Sequence, residues 1–354
     1  MRLAFELSGE HETLPKAELL ASLDALGLRY KAQQVATRLM VVEASIAPAT
    51  LHLLARRLGM THRIYELESV CALEEGAVLN FVRSLDLETI MREKRSFAVR
   101  SRLIQGCRWY AHREVVLKQI GAEIKSKGYR VDLVHPDHTF VLLGTAQAVL
   151  FASLLQVVEK HQFVETVPRS RPFFSPGVIM PKIARVLTNL SGVRENEHFL
   201  DPFCGTGGIV IEASKLGAKS IGADVQEKMV RGARENAAFF NLAADLFLSD
   251  AARLPVRTAS IDAVATDLPY GRASPIACVE ARNTTEAGAS RALLYREALV
   301  ELYRVLKPGR RAVIVANSPA LGSTARECEF QCREVHSYRV HKSLTRYIHL
   351  LEKR

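Results

Sequence analysis

The sequence predicts an α/β protein with a parallel-sheet unit in its carboxy-terminal half and a basic α+β half before it. Three observations carry this reading. Asp201-Pro202-Phe203-Cys204-Gly205-Thr206-Gly207-Gly208 closes an apolar strand-like run (Glu197 to Leu200) and opens a helix-like one (Ile209 to Leu216). Asp267-Leu268-Pro269-Tyr270-Gly271 follows a second buried-strand pattern, Ile261 to Thr266. Ahead of both, strand and helix signals alternate in a stretch rich in arginine and lysine. A strand, a glycine turn and a helix in succession place a nucleotide-like ligand over the carboxyl end of a parallel sheet, so the last unit is Rossmann-like.

Taken in order, Leu3 to Leu7 reads as a strand and Pro15 to Leu26 as a helix stopped by Gly27. Two short strands follow (Leu28 to Lys31, Leu39 to Glu43), then a helix from Pro48 to Leu58 and a strand around Arg63 to Leu67. The order β-α-β-β-α-β is that of a small ferredoxin-like domain over residues 1–67. From there to residue 148 the chain is more basic. Between Arg92 and Arg130 lie Arg92, Lys94, Arg95, Arg100, Arg102, Arg108, Arg113, Lys118, Lys125, Lys127 and Arg130, against Glu93, Glu114 and Glu123. Phe97 to Leu103 alternates at period two, which puts Arg100 and Arg102 on one face of a strand. Glu114 to Lys127 reads as an amphipathic helix ended by Gly128, with strands at Tyr129 to Val134 and Thr139 to Leu143. With Trp109, Tyr110 and His112 interleaved, the cluster suits RNA contact; a solvated positive face is the plainer alternative. Residues 149–181, with Pro168, Pro172, Pro176 and Pro181, read as a linker. Residues 182–354 read as one α/β unit.

The 354 residues carry a formal net charge of +10, a balance that favours a polyanionic partner. No window approaches the ~20 apolar residues that span a bilayer, and Met1-Arg2-Leu3 leads into a strand pattern rather than a signal peptide. The six cysteines are scattered; only Cys328 and Cys332 are close and no second pair completes a zinc set, so all are expected as reduced thiols in a cytoplasmic protein without a metal. A catalytic thiolate at Cys204 lacks a local histidine or second acid.

A glycine turn alone also serves dehydrogenases. Asp224, about twenty residues on at the end of the next strand, can accept from both ribose hydroxyls, a role a dehydrogenase would share. Asp250 follows another apolar run, Leu246-Phe247-Leu248, and can accept from an adenine amine while the Ala251 N–H meets a ring nitrogen. Helix capping is the structural alternative for both acids. Asp267-Leu268-Pro269-Tyr270, one strand later, has no use in hydride transfer. An acid, a backbone carbonyl and an aromatic at a strand end can clamp a planar amine. The Asp267 carboxylate and Leu268 carbonyl would accept its two N–H bonds, Pro269 would fix the turn and Tyr270 would stack on the base. Cofactor loop and catalytic loop together resemble those of class I S-adenosylmethionine-dependent amino-methyltransferases, with Asp201 and the turn's N–H groups on the methionine portion.

Across the whole chain the sequence resembles the THUMP-domain tRNA guanine-N2 methyltransferases, most closely their archaeal branch acting at guanine 10. The resemblance rests on Phe5-Glu6-Leu7-Ser8-Gly9-Glu10-His11, Phe97-Ala98-Val99-Arg100, Arg171-Pro172-Phe173-Phe174-Ser175-Pro176-Gly177, the two loops above through Arg272, Lys307-Pro308-Gly309, and His341-Lys342-Ser343-Leu344-Thr345-Arg346. It implies a class I methyltransferase domain preceded by a ferredoxin-like plus THUMP module, the latter over residues 68–148, gripping the acceptor end of tRNA. It further implies a cofactor set of Asp201, Pro202, Cys204, Gly205, Thr206, Gly207, Asp224, Val225, Asp250, Ala251 and Phe174. The catalytic set is Asp267, Leu268, Pro269 and Tyr270, and the RNA set Arg100, Arg102, Arg108, Lys118 and Arg272. The expected products are N2-methyl- and N2,N2-dimethylguanosine, with mono- versus dimethylation left open by the sequence, and a monomer is expected. A guanine of the acceptor stem and, more distantly, adenine-N6 of DNA are the rival substrates. Leu268 stands where these relatives usually carry a second proline, which puts local rigidity in question.

Overall fold

Which strands pair with which decides where a ligand can sit, and a computed structural model of the chain gives that pairing. It describes residues 1–74, 76–104, 113–269 and 284–354, with the backbone alone for 284–289. The chain divides into two units: residues 1–16, 28–56 and 61–159, and residues 17–27, 57–60 and 160–354.

The opening order is β1 (Arg2–Leu7), α1 (Leu14–Ala25), β2 (Tyr30–Ala36), β3 (Leu39–Ala44), α2 (Pro48–Arg57) and β4 (Thr61–Cys71). Then come α3 (Ala77–Ser84), α4 (Leu87–Met91), β5 (Ser96–Leu103), α5 (Arg113–Ser126), β6 (Arg130–Val131), β7 (His138–Gly144) and β8 (Val149–Val157). The eight strands form one sheet in the order β2-β3-β1-β4-β8-β7-β5-β6. Its first four strands are antiparallel neighbours in the ferredoxin-like order. Ile120 and Ile124 of α5, one helical turn apart, are buried together with Phe97 and Phe140.

Two sequence expectations change here. The strand expected over Tyr129 to Val134 is only β6, because Asp132 Oδ1 accepts from the N–H groups of Val134 and His135 and turns the chain off the sheet. The first nine residues of the expected linker are β8, which pairs with both β4 and β7. Val149-Leu150-Phe151-Ala152 is apolar on both faces because the strand is covered on both, so no alternation marks it. The sheet therefore runs on past the boundary expected at residue 67.

The second unit holds α6 (His161–Val164), α7 (Pro181–Leu190), β9 (His198–Asp201), α8 (Gly208–Lys215), β10 (Lys219–Asp224), α9 (Glu227–Phe239), β11 (Asp245–Leu248) and β12 (Ile261–Asp267). It continues with α10 (Thr284–Val305), β13 (Leu306–Ala316), α11 (Leu321–Glu327), β14 (Gln331–His341) and β15 (Leu344–Glu352). The sheet order is β11-β10-β9-β12-β13-β15-β14. The first five strands are parallel, and β15 and β14 add an antiparallel edge. Strand order runs outward from β9 to β11 and then restarts at β12 on the other side of β9. This reversal opens a crevice beyond the carboxyl ends of β9 and β12, the place where open α/β sheets bind ligands. Among the described residues no helix is long and apolar enough to cross a membrane.

Candidate active site

Both sequence motifs end at that crevice. A cavity of about 850 Å³ lies there, lined by Asp201, Gly205, Asp224, Asp250, Asp267 and Arg346 among others. Its size is in the range of pockets that enclose a small-molecule cofactor.

The glycine turn is held by its own backbone. Gly205 and Gly207 have φ of +51° and +80°, the left-handed region open to glycine, and a Cβ on Gly207 would stand 3.2 Å from that of Ala233. The Cys204 N–H donates to the Ala223 carbonyl at 2.8 Å and that of Gly205 to Asp224 Oδ2 at 3.0 Å, which ties the turn to β10. Asp224 Oδ1 also accepts from the Gln226 N–H at 2.9 Å; the acid is buried, and burial raises its pKa. This bond does not cap α9, whose N-cap is Gln226 with no side-chain partner, and Asp224 lines the cavity. Asp250 is exposed at the rim, where its Oδ1 accepts from the Ala252 N–H at 2.9 Å. Pro202, Thr206, Val225 and Ala251 line the same cavity.

Asp201 does more bracing than the sequence suggests. It is 1% exposed, and its Oδ1 accepts from Thr266 Oγ1 at 2.6 Å and from the Phe203 N–H at 3.2 Å, joining β9 to β12. Burial pushes its pKa up to about 7, and the charges of Asp224 and Asp267 push the same way. Cys204 is buried beside Asp201 and Asp224, and burial first, then those charges, push its thiol well up. Burial and the neighbouring acids thus disfavour a thiolate there.

The connector lines the cavity with Ser175 to Ile179, and packs Phe173 rather than Phe174 against α9. Phe174 is 47% exposed and does not line the cavity. Phe173 instead lies so close over Gly232 of α9 that a Cβ there would sit 2.0 Å from its ring. Its backbone N–H donates to Asn236 Oδ1 at 2.9 Å, while Asn236 Nδ2 donates to the Phe173 and Thr206 carbonyls at 3.0 and 2.9 Å. Asn236, fully buried, thereby fastens connector to glycine turn. Two adjacent phenylalanines give no indication of which one points inward.

The loop after β12 is held from elsewhere. Asp267 Oδ2 lies 3.1 Å from the Arg346 guanidinium of β15. The Tyr295 hydroxyl, on α10, donates to the Pro269 carbonyl at 2.8 Å. The Leu268 N–H donates to the Val315 carbonyl of β13 at 2.9 Å, and its side chain packs in the core with Leu299, Ile314 and Leu321. A proline at 268 could not make that hydrogen bond. Local rigidity is supplied by the strand partner and the core. Tyr295 and Arg346 are the residues the sequence reading passed over; Arg346 closes the run His341 to Arg346, but nothing in its spacing points to Asp267. Tyr270, Arg108 and Arg272 lie outside the described residues. Arg100, Arg102 and Lys118 are exposed in the first unit, where the Arg100 guanidinium donates to the Leu133 carbonyl at 2.5 Å.

Comparison with known proteins agrees with this geometry. Residues 168–348 match the model of the family described as RMKL-like, methyltransferase domain. The chain is 33% identical to the tRNA (guanine(10)-N2)-dimethyltransferase of Methanothermobacter thermautotrophicus, over 100% of both chains. It is 32% identical to the enzyme of the same name from Pyrococcus abyssi, over 84% of this chain and 85% of that one. Its fold is shared by the crystal structure of TrmN from Thermus thermophilus, with 21% identity, 100% of both chains covered and a TM-score of 0.57. The chain belongs to the RMKL-like methyltransferase-domain family and to that of the tRNA (guanine(10)-N2)-dimethyltransferases.

Proposed function

We propose that this protein is an S-adenosylmethionine-dependent methyltransferase acting on the exocyclic N2 amine of guanine in tRNA, at guanine 10, with mono- and then dimethylated products. The observation that carries the reading is the Asp267-Leu268-Pro269 loop set at the carboxyl end of β12, across the switch point from the glycine turn and on the same acid-lined cavity. The residues fit the cofactor. Asp201, Asp224 and Asp267 line the cavity with acceptor oxygens, Asp224 suits a ribose diol, and Asp250 with Ala251 suits an adenine edge.

The bound cofactor supplies an electrophilic methyl group on a sulfonium, so the protein's task is to align a poor nucleophile. The guanine amine is poor because its lone pair is delocalised into the ring. Asp267 and the Leu268 carbonyl would accept its two N–H bonds, draw the nitrogen towards tetrahedral geometry and stabilise the positive charge that develops as N–CH₃ forms and S–CH₃ breaks. The methylated ammonium then gives up one N–H proton, to the Asp267 carboxylate or to water, leaving neutral N2-methylguanine. Tyr295 and Val315 fix the loop backbone so that these acceptors need not reorganise. A guanine in a stem must first leave its stack to reach the cavity. The functional divisions proposed at residues 67, 148 and 181 do not coincide with the sheet boundaries, since β8 carries the first sheet to Val157. Residues 68–148 serve as the THUMP module that grips tRNA through Arg100, Arg102 and Lys118, in a cytoplasmic monomer.

The test is transfer from methyl-labelled S-adenosylmethionine to tRNA, followed by nucleoside analysis and mapping. Labelled N2-methyl- or N2,N2-dimethylguanosine at position 10 is expected. Label at an acceptor-stem guanine would redirect the substrate assignment, and label only in DNA adenine would overturn it.

A further inference from the structure

Arg346 is 6% exposed, yet its guanidinium serves two elements of the cavity at once. It lies 3.1 Å from Asp267 Oδ2 and donates to the Gly177 carbonyl of the connector at 3.0 Å. Gly177 belongs to the segment 175–179 that lines one wall of the same cavity. The surroundings of Asp267 make this cation consequential. From β9, Asp201 faces it closely enough for the Asp267 charge to raise the Asp201 pKa, with Asp224 of β10 adding to the same field. From α10 comes Tyr295, whose phenol is pushed up to about 12 by burial first, with Arg291 opposing and Asp267 adding. Glu297 of α10 and His341 at the end of β14 also line the cavity. A carboxylate sharing a confined space with other acids tends to take up a proton, and an adjacent cation opposes that.

We propose that Arg346 is a positioning residue for the methyl transfer: its guanidinium keeps Asp267 ionised and in one orientation, and ties it to the Gly177 wall of the cavity. This rests on the reading of Asp267 as the acceptor of the substrate amine. A protonated Asp267 would offer no negative charge to the developing ammonium, and a carboxylate free to rotate would present its oxygens to the amine only part of the time.

Single-turnover methylation of tRNA at saturating cofactor, from about pH 6 to about pH 9, tests this in Arg346→Met and Arg346→Lys. Arg346→Met is expected to lose at least about tenfold in rate at neutral pH and to recover as pH rises, because Asp267 without its cation holds a proton to higher pH. Arg346→Lys should keep most of the rate and the wild-type pH profile. Calorimetric affinity for S-adenosylhomocysteine should stay within about threefold of wild type in both, since the glycine turn is untouched. A Met variant whose rate runs parallel to wild type at every pH, or a Lys variant no better than Met, overturns the proposal. Collapse of S-adenosylhomocysteine affinity in both variants does so too, since Arg346 would then be part of the cavity wall alone. Wild-type protein that leaves tRNA guanine unmethylated would instead overturn the functional reading.

Discussion

The glycine turn after β9 and the Asp267 loop after β12 end adjacent strands of one sheet and face one cavity, yet they are held in different ways. The turn is shaped by two glycines at positive φ and by partners close in the chain: the Ala223 carbonyl and Asp224 carboxylate of β10 and Asn236 of α9. The loop is shaped by groups far away in sequence: Tyr295 on Pro269, Val315 on Leu268, Arg346 on Asp267. The turn's bonds to Asp224 and Asn236 span only 19 and 30 residues of chain. The loop's bonds exist only once α10, β13 and β15 have packed. The part that must only receive a cofactor is locally encoded; the part that must align atoms for reaction depends on tertiary packing.

The comparison can be broken first at the helix that carries the glycine turn. Glu212 of α8 is fully buried 2.7 Å from Arg185 of α7, itself 2% exposed. Glu212→Ala leaves a buried guanidinium without its carboxylate, which typically costs about 3–5 kcal/mol. Urea denaturation should show a loss of that size. A loss below about 1 kcal/mol would mean that the turn stands without its helix anchor.

Asp267→Asn strikes the loop without touching the turn. Loss of a comparable transition-state contact costs about 2.7–4 kcal/mol, a hundred- to a thousandfold in single-turnover rate, with binding of tRNA and S-adenosylmethionine retained. A rate within about threefold of wild type would mean that Asp267 does not hold the amine.

Leu268→Pro sharpens the contrast, since it restores the residue usual in these relatives while deleting the bond to Val315. Leaving that carbonyl unpartnered should cost about 1–3 kcal/mol in denaturation experiments. An unchanged or raised stability would show that stiffness of the proline ring outweighs the strand bond.

Asp224→Ala tests the turn's ligand side: calorimetry should show S-adenosylmethionine affinity falling at least about tenfold. Unchanged affinity in the folded variant would reduce Asp224 to a brace for Gly205 and Gln226.

The smallest effect is one of slope. The Asp201 pKa rises from 3.8 to about 7 in the fold. The native state therefore holds a proton that the unfolded chain has released, and this contribution to stability is complete below about pH 4 and lost as pH rises through about 7. Relative to wild type, Asp201→Asn should be flatter across that window, by at most about 1.4 kcal/mol per pH unit. Equal slopes would place the proton elsewhere among the buried acids.

Much of the molecule was legible in the chain because local chemistry writes it there. Leu3 to Leu7, Leu39 to Glu43 and Ile261 to Thr266 are apolar runs bounded by turn residues, and each is a strand. Gly205 and Gly207 announce a backbone that other residues adopt at a cost. β8 was hidden because burial on both faces erases alternation, and the antiparallel edge of β14 and β15 because strand direction leaves no periodic trace.

By itself, then, the sequence determined where strands end in an acid or a glycine turn, since those positions depend on φ/ψ preference and on the short reach of a side chain. Only the tertiary structure decided that Phe173 rather than Phe174 turns inward. It also decided that Asn236 fastens the connector, and that Arg346 of β15 meets Asp267 of β12. Such pairings join residues far apart in the chain, and their geometry comes from the order of strands in a sheet, which no local preference specifies.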